Sequence, residues 1–211
     1  MNSILIVDDH PIIRVAVRAL LEREGYIVVG ESDNGLDALN KMKELNPDLV
    51  ILDIGIPQLE GLDVIHRMQS NNIASRILIL TSQSQNLFAN RCRQAGASGF
   101  IGKETGLAEL INGVKAVLAG YSFFPISSLD SVSSNSEGVS EEALLKKLSN
   151  REIMVLQYLA SGYGTNEIAD QMFISAKTVS TYKSHLRTKL GVSSYIEMVD
   201  FARRNKLMPV S

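Results

Sequence analysis

From residue 3 to 119, short apolar runs alternate with longer stretches whose apolar residues return at helical spacing. Ser3 to Val7, Ile27 to Gly30, Asp48 to Leu52, Arg76 to Leu80 and Gly99 to Ile101 read as strands, with helices filling the gaps. The runs "LVIL" and "ILIL" do not alternate apolar with polar, as a half-exposed sheet would, so they are expected at the centre of a sheet covered on both faces. Five such units predict an α/β, doubly wound, five-stranded parallel sheet.

After this domain, expected over residues 1–124, the pattern breaks. Residues 125–147 begin "PISSLDSVSSNSEGVS", carry little apolar content before Leu144, and read as a flexible serine-rich linker. Residues 148–211 then give a small all-α domain. In "LSNREIMVLQYLASG", Ser149 and Glu152 have capping-box spacing and Gly162 ends the helix. Further helices are expected at about Thr165 to Met172, Lys177 to Leu190 and Ser194 to Asn205.

Composition supports packed cores, with 45% hydrophobic and 21% charged residues. No run approaches the roughly 18 apolar residues of a membrane span, and Met1 to Val7 lacks the signature of a signal peptide, so a cytoplasmic location without membrane contact is expected. One cysteine, Cys92, gives no internal disulfide and reads as a small packed hydrophobe. The net charge of −2 hides an asymmetry: residues 1–124 hold 11 basic and 14 acidic side chains, whereas residues 148–211 hold 8 and 5. Nucleic acid is therefore a candidate partner of the C-terminal segment alone.

Asp8 and Asp9 follow the first strand, Asp53 the third, Thr81 the fourth and Lys103 the fifth. Ligands of open parallel sheets bind beyond the carboxyl ends of the strands, so these residues converge on one crevice. Singly they would be caps, turn residues or solvated charges. Three carboxylates without a cation would repel one another, and a hard divalent ion, Mg²⁺, is the remedy that oxygen ligands suit. Asp53 would then be both ligand and nucleophile toward phosphorus, with Lys103 and Thr81 contacting the phosphoryl oxygens. His10, before Pro11, and His66, alone on a helical stretch, are read as structural.

The stretches "ILIVDDH", "DLVILDIGIPQLEG", "ILILTS" and "AGASGFIGK" resemble the motifs of a CheY-like receiver domain over residues 3 to 120. The resemblance implies that Asp53 is the phosphoacceptor, with Asp8 and Asp9 the acidic pair and Asp9 directly on Mg²⁺. Gly55 would offer its backbone carbonyl to the metal, and Thr81 and Phe100 would form the switch pair. Phe100 is equally well read as a core strand residue. Receivers often carry proline after the lysine, where this chain has Glu104, and tyrosine where it has Phe100.

In the basic segment, "TNEIADQM", "FIS" and "AKTVSTYKSHLRTKL" have the layout of a helix-turn-helix. Val179, Tyr182, Leu186 and Leu190 share one face of the second helix, which leaves Lys177, Ser180, Thr181, Ser184 and Thr188 opposite. Lys183, Arg187 and Lys189 flank that polar face, and no acidic residue interrupts Ser175 to Leu190. The segment from Leu148 to Asn205 resembles the LuxR-type DNA-binding domain of NarL-like response regulators. By position, Ser180, Thr181 and Ser184 would touch bases, and Lys177, Thr178 and Lys183 would lie near phosphates. The stretches "TVSTYKS" and "AGYSFFP" look most like the subgroup of BvgA, EvgA and FimZ, whose sensors are multi-step phosphorelay kinases. The resemblance implies a two-component transcription regulator, phosphorylated by a sensor histidine kinase or a phosphotransfer domain. It would bind double-stranded promoter DNA as a homodimer and work with RNA polymerase.

Two rivals stand beside this reading. A Mg²⁺ phosphohydrolase with an aspartyl-phosphate intermediate would need a general acid two residues past Asp53, where Gly55 stands. A receiver acting only through protein contacts would show no salt-sensitive DNA binding.

Overall fold

The computed structural model describes residues 2–125, 141–205 and 207, and the chain divides into two compact units, residues 1–132 and 133–211. In the first unit, β1 (Ser3–Val7), β2 (Ile27–Ser32), β3 (Leu49–Leu52), β4 (Arg76–Thr81) and β5 (Gly99–Gly102) form one parallel sheet in the order β2-β1-β3-β4-β5. The helices α1 (Pro11–Arg23), α2 (Gly35–Leu45), α3 (Gly61–Ser70), α4 (Gln85–Gln94) and α5 (Leu107–Leu118) connect and follow the strands. Every residue of β3 is buried, as its unbroken apolar run requires.

Alternation along each strand divides the core in two. Ile4, Ile6, Leu49, Ile51, Leu78 and Leu80 pack with Val17 and Leu21 of α1 and with Leu110 and Val114 of α5. The intervening residues Leu5, Val7, Val50, Leu52 and Ile79 are also buried, on the opposite face. The chain reverses at β1, whose neighbours are β2 on one side and β3 on the other. That reversal opens a crevice above the carboxyl ends of β1 and β3.

One contact beyond the five strands was not expected. Phe123 lies in parallel against Gly99, its carbonyl accepts from the Phe100 amide at 2.7 Å, and its amide donates to Ser98 at 3.0 Å. A Cβ on Gly99 would stand 2.9 Å from that carbonyl, so only glycine permits the approach.

The second unit holds α6 (Glu141–Lys147), α7 (Asn150–Ala160), α8 (Thr165–Gln171), α9 (Ala176–Leu190) and α10 (Tyr195–Arg204). The expected capping box is present: the Ser149 hydroxyl accepts from the Glu152 amide, and the Glu152 carboxylate accepts from the Ser149 amide at 2.7 Å. Ile153, Leu156, Leu159, Ile168, Val179, Leu186, Met198 and Phe201 form its buried core. The α8–α9 turn passes through Phe173 at φ 54°, and Gly191 ends α9 at φ 67°.

The stretch read as linker, 125–147, needs one correction. Its last seven residues form α6, which buries Leu145 and ties Glu141 to Arg204 and Asn205 of the helix end opposite, at 2.8 Å each. Residues 126–140 of that stretch, together with 206 and 208–211, lie outside the described residues.

Candidate functional site

The crevice gathers the five residues that the strand ends promised. Asp8 and Asp53 are buried, Thr81 is fully enclosed, and Asp9 is partly exposed. Asp53 Oδ1 accepts from the Thr81 hydroxyl at 2.7 Å and from the Gly55 amide at 3.0 Å. The Lys103 ammonium lies 2.5 Å from Asp53 Oδ2 and 2.7 Å from Asp8 Oδ2. These contacts revise the expectation of three carboxylates without a cation, because Lys103 already bridges two of them. Burial opposes its charge, but Asp53 and Asp8 outweigh that and hold the ammonium above the ordinary lysine range. Phe100 is buried among the core residues, as its position on β5 requires.

Asp9 is differently placed. Burial, reinforced by the charges of Asp53 and Asp8, raises its carboxyl above the ordinary aspartate value, with His10 opposing. Its Oδ1 is buried and accepts no hydrogen bond, although His10 Nδ1 lies 2.7 Å away. Ligand atoms of Asp8, Asp9, His10 and Asp53 all fall within 4.8 Å of one another. An orphaned carboxylate oxygen among other carboxylates is what a hard divalent cation satisfies, so the residues present fit such an ion. His10 was read as structural, and it does start α1 ahead of Pro11. Its ring nevertheless also faces both carboxylates, at 2.7 and 3.2 Å.

Glu104 follows Lys103 in a short 3-10 turn, Lys103–Thr105, and no cis peptide occurs among the described residues. The Thr105 hydroxyl closes the turn onto the Gly102 carbonyl at 2.8 Å. Gln83 went unnoticed in the sequence. It stands two residues beyond Thr81, donates its amide N–H to the Thr81 hydroxyl at 3.2 Å, and has a buried side-chain oxygen without a partner. A glutamine in a loop carries no sequence signal; only the fold brings it here. Cys92 is wholly buried, and its thiol is pushed up to about 12, which excludes thiolate chemistry.

In the second unit, Val179, Leu186 and Leu190 are buried with Tyr182 half-buried, while Lys177, Ser180, Thr181, Ser184 and Thr188 are exposed together. Three of those hydroxyls, on Ser180, Thr181 and Thr188, donate to carbonyls one turn back, which leaves their oxygens free to accept. The flanking cations are less available than the sequence suggested. Lys189 pairs with buried Glu152 at 2.7 Å, and Arg187 donates to the Ser193 carbonyl at 2.6 Å. Lys183 donates to Thr165 at 3.2 Å and lies 5.7 Å from the centre of the Tyr195 ring. The Thr178 hydroxyl is 2.8 Å from that of Ser175, within the cap of α9. Lys177, at the opening of α9, is exposed, as are Arg187 and Lys189 near its end.

A parallel α/β unit with an acidic crevice at its strand ends, joined to a helix-turn-helix with a small polar outer face, defines a receiver coupled to a DNA-binding output. Residues 4–115 match the response regulator receiver domain, and residues 146–202 match the LuxR family of bacterial regulatory proteins. BvgA, a transcription regulator of virulence factors in Bordetella pertussis, is 51% identical over 98% of this chain and 99% of its own. EvgA, a DNA-binding transcriptional activator of Escherichia coli K12, is 37% identical over 98% of this chain and all of its own. Among solved structures, RcsB of Salmonella enterica serovar Typhimurium, bound to promoter rprA in the presence of BeF₃⁻, aligns with a TM-score of 0.66. It shares 26% identity over 96% of this chain and 99% of its own. The chain belongs to the response regulators that join a receiver domain to a LuxR-type DNA-binding domain. It is thus a transcription regulator in class, and no helix among the described residues is long and apolar enough to cross a membrane.

Proposed function

We propose that this protein is a cytoplasmic two-component transcription regulator in which Asp53 receives a phosphoryl group from a sensor histidine kinase or phosphotransfer domain. Phosphorylation then promotes homodimeric binding to promoter DNA. The observation that carries this reading is the surroundings of Asp53. One buried carboxylate is met by a hydroxyl, a backbone amide and an ammonium, beside a second pair of carboxylates.

Asp53 attacks phosphorus, the bond from phosphorus to the donor's histidine nitrogen breaks, and that nitrogen leaves with the bonding pair, giving back a free imidazole. Asp8, Asp9, Asp53 and the Gly55 carbonyl would hold Mg²⁺, which supplies charge neutralisation at the phosphoryl oxygens. Lys103, released from Asp53 by the new phosphoryl oxygens, pairs with them instead, and the Thr81 hydroxyl donates to them. Phe100, buried on the strand beside Thr81, adjusts with that hydroxyl.

In the second unit, α9 enters the major groove. Ser180, Thr181 and Ser184 meet base edges, Lys177, Thr178 and Lys183 lie toward phosphates, and Thr188 extends the same face. RcsB has been solved on promoter DNA with a phosphate mimic, which supports the same output here. RNA polymerase is the partner through which bound protein would act.

DNA affinity measured with and without a small phosphodonor and Mg²⁺ tests the switch. To carry a 1:99 equilibrium to 99:1, the phosphoryl group must favour the binding state by about 5.5 kcal/mol. The expected result is markedly tighter binding by phosphorylated wild type and no response from Asp53→Asn. Equal affinities, with no phosphate on Asp53, would overturn the reading.

A further inference from the structure

The acidic pair lies in the short passage between β1 and α1, where the strand ladder no longer holds the chain. The Asp8 amide still donates to the Ser32 carbonyl of β2 at 3.0 Å, and Asp8 Oδ1 accepts from the His10 amide at 2.9 Å. The Asp8 carbonyl lies past Val7, the last paired residue of β1, and accepts from the Arg14 guanidinium at 2.6 Å. That reach follows from the helix. α1 opens at Pro11 and helical side chains slant toward the N-terminus, so Arg14, at the end of the first turn, leans back over the residues that precede it. Arg14 is only 17% exposed and is itself braced: its Nε donates to Glu31 Oε2 at 3.1 Å, while Arg18 Nε donates to Glu31 Oε1 at 2.5 Å. Glu31 precedes Ser32 on β2, so the end of one strand anchors both the Asp8 amide and the guanidinium on the Asp8 carbonyl. The planar peptide from that carbonyl to the Asp9 nitrogen sets where the Asp9 side chain starts.

We propose that Arg14 is a positioning residue for the divalent-cation site: by holding the Asp8 carbonyl, it fixes the peptide between Asp8 and Asp9 and aims their carboxylates at the ion. The inference rests on reading the Asp53 crevice as a phosphoacceptor site that takes Mg²⁺. Arg14 acts through the acidic pair, and Glu31, shared with Arg18, keeps its planar fork in place. Charge and orientation oppose each other here. A guanidinium beside the pocket repels a cation, so if charge were its whole effect, removing it would tighten Mg²⁺ binding. If its hold on the peptide decides, removing it loosens the ligands and weakens binding.

Binding of Mg²⁺ alone to the full, unphosphorylated chain is measured by isothermal titration calorimetry, beside thermal unfolding of the metal-free protein. Arg14→Met keeps the stem and loses both charge and donors, and it should weaken Mg²⁺ binding by roughly tenfold or more. Arg14→Lys restores a single-point donor without the fork, so its affinity should fall between the two. With a small phosphodonor, the Mg²⁺ concentration giving half the maximal rate should rise in Arg14→Met, while the rate at saturating Mg²⁺ stays within about twofold of wild type. Unchanged or tighter Mg²⁺ binding by Arg14→Met, whatever its thermal midpoint, overturns the proposal, as does absence of Mg²⁺ binding by wild type. Should Arg14→Met fail to fold, Glu31→Gln decides: it leaves Arg14 in place with a weaker brace and should also weaken Mg²⁺ binding, and an affinity equal to wild type overturns the proposal. A wild type that binds Mg²⁺ yet takes up no phosphoryl group on Asp53 is a separate result: it removes the phosphoacceptor reading, while the affinities still decide the role of Arg14.

Discussion

Asp9 places a carboxylate oxygen beside Asp8 and Asp53, where it accepts no well-aligned hydrogen bond and is met by the His10 ring nitrogen at 2.7 Å. That arrangement costs stability until a cation arrives, so Asp9→Asn should raise the thermal midpoint of the metal-free protein at neutral pH. The same change should weaken Mg²⁺ binding by roughly tenfold or more, since even outer partners of metal ligands contribute on that scale. Unfolding followed by circular dichroism with and without Mg²⁺ checks both. Wild type should gain more from the ion than the variant, and an Asp9→Asn protein that responds equally would exclude Asp9 as a ligand. At this scale much of the pocket was legible in the sequence, because strand ends in a parallel sheet have a fixed side, and Asp8, Asp53, Thr81 and Lys103 each follow an apolar run. Partners were not legible. Nothing in the local sequence says that Lys103 reaches Asp8 and Asp53, that the ring of His10 turns toward Asp9, or that Gln83 comes within reach of Gly55.

The helices of the second unit depend on a few residues at their ends. Glu152 closes the capping box of α7 and also accepts from Lys189 on α9, so it joins the two helices that dominate this unit. Burial would raise its carboxyl, but the bonds from Lys189 and Ser149 prevail and hold it below its ordinary 4.5. A lowered carboxyl contributes stability that is complete above its unfolded value and is lost as pH falls through its folded value. The second unit should therefore weaken as pH drops below 4.5, and Glu152→Gln should flatten that dependence while lowering stability at neutral pH by about 1–2 kcal/mol. Chemical denaturation across a pH series measures both effects. Phe173 offers the opposite case. It holds φ 54° in the turn before α9 with its ring largely exposed, so Phe173→Gly should stabilise by about 0.5–1 kcal/mol in the same assay. Capping signals made α7 and α10 legible from Ser149 and Ser194, whereas the cap of α9 at Ser175 was read as part of the turn. The seven-residue α6 was not, because so short a helix has little intrinsic stability and forms by burying Leu145 and anchoring Glu141 to Arg204 and Asn205.

For the molecule as a whole, the question is how the phosphoryl charge proposed for Asp53 would influence DNA binding by the second unit. A single helix-turn-helix has a limited electrostatic footprint, and Lys189 offsets part of its own charge within the domain by pairing with Glu152. Useful affinity then has to come from pairing two such units on adjacent half-sites, where the second binding event becomes intramolecular. The helix α10 is a candidate for that pairing: Ile196 is 69% exposed on it, and Tyr195 beside it is 44% exposed. An apolar side chain this exposed contributes little to folding, so Ile196→Glu should leave stability within about 0.5 kcal/mol of wild type. It should weaken binding of the phosphorylated chain to a two-half-site fragment by roughly tenfold or more, with single half-site binding unchanged. Titration of both DNA fragments by fluorescence anisotropy separates the outcomes. Equal losses on the two fragments would place Ile196 at the DNA itself, and no loss on either would move the pairing surface away from α10. The phosphoryl group has only to favour pairing for this scheme to work, and coupling through concentration in place of a rigid path is compatible with the serine-rich stretch that joins the two units.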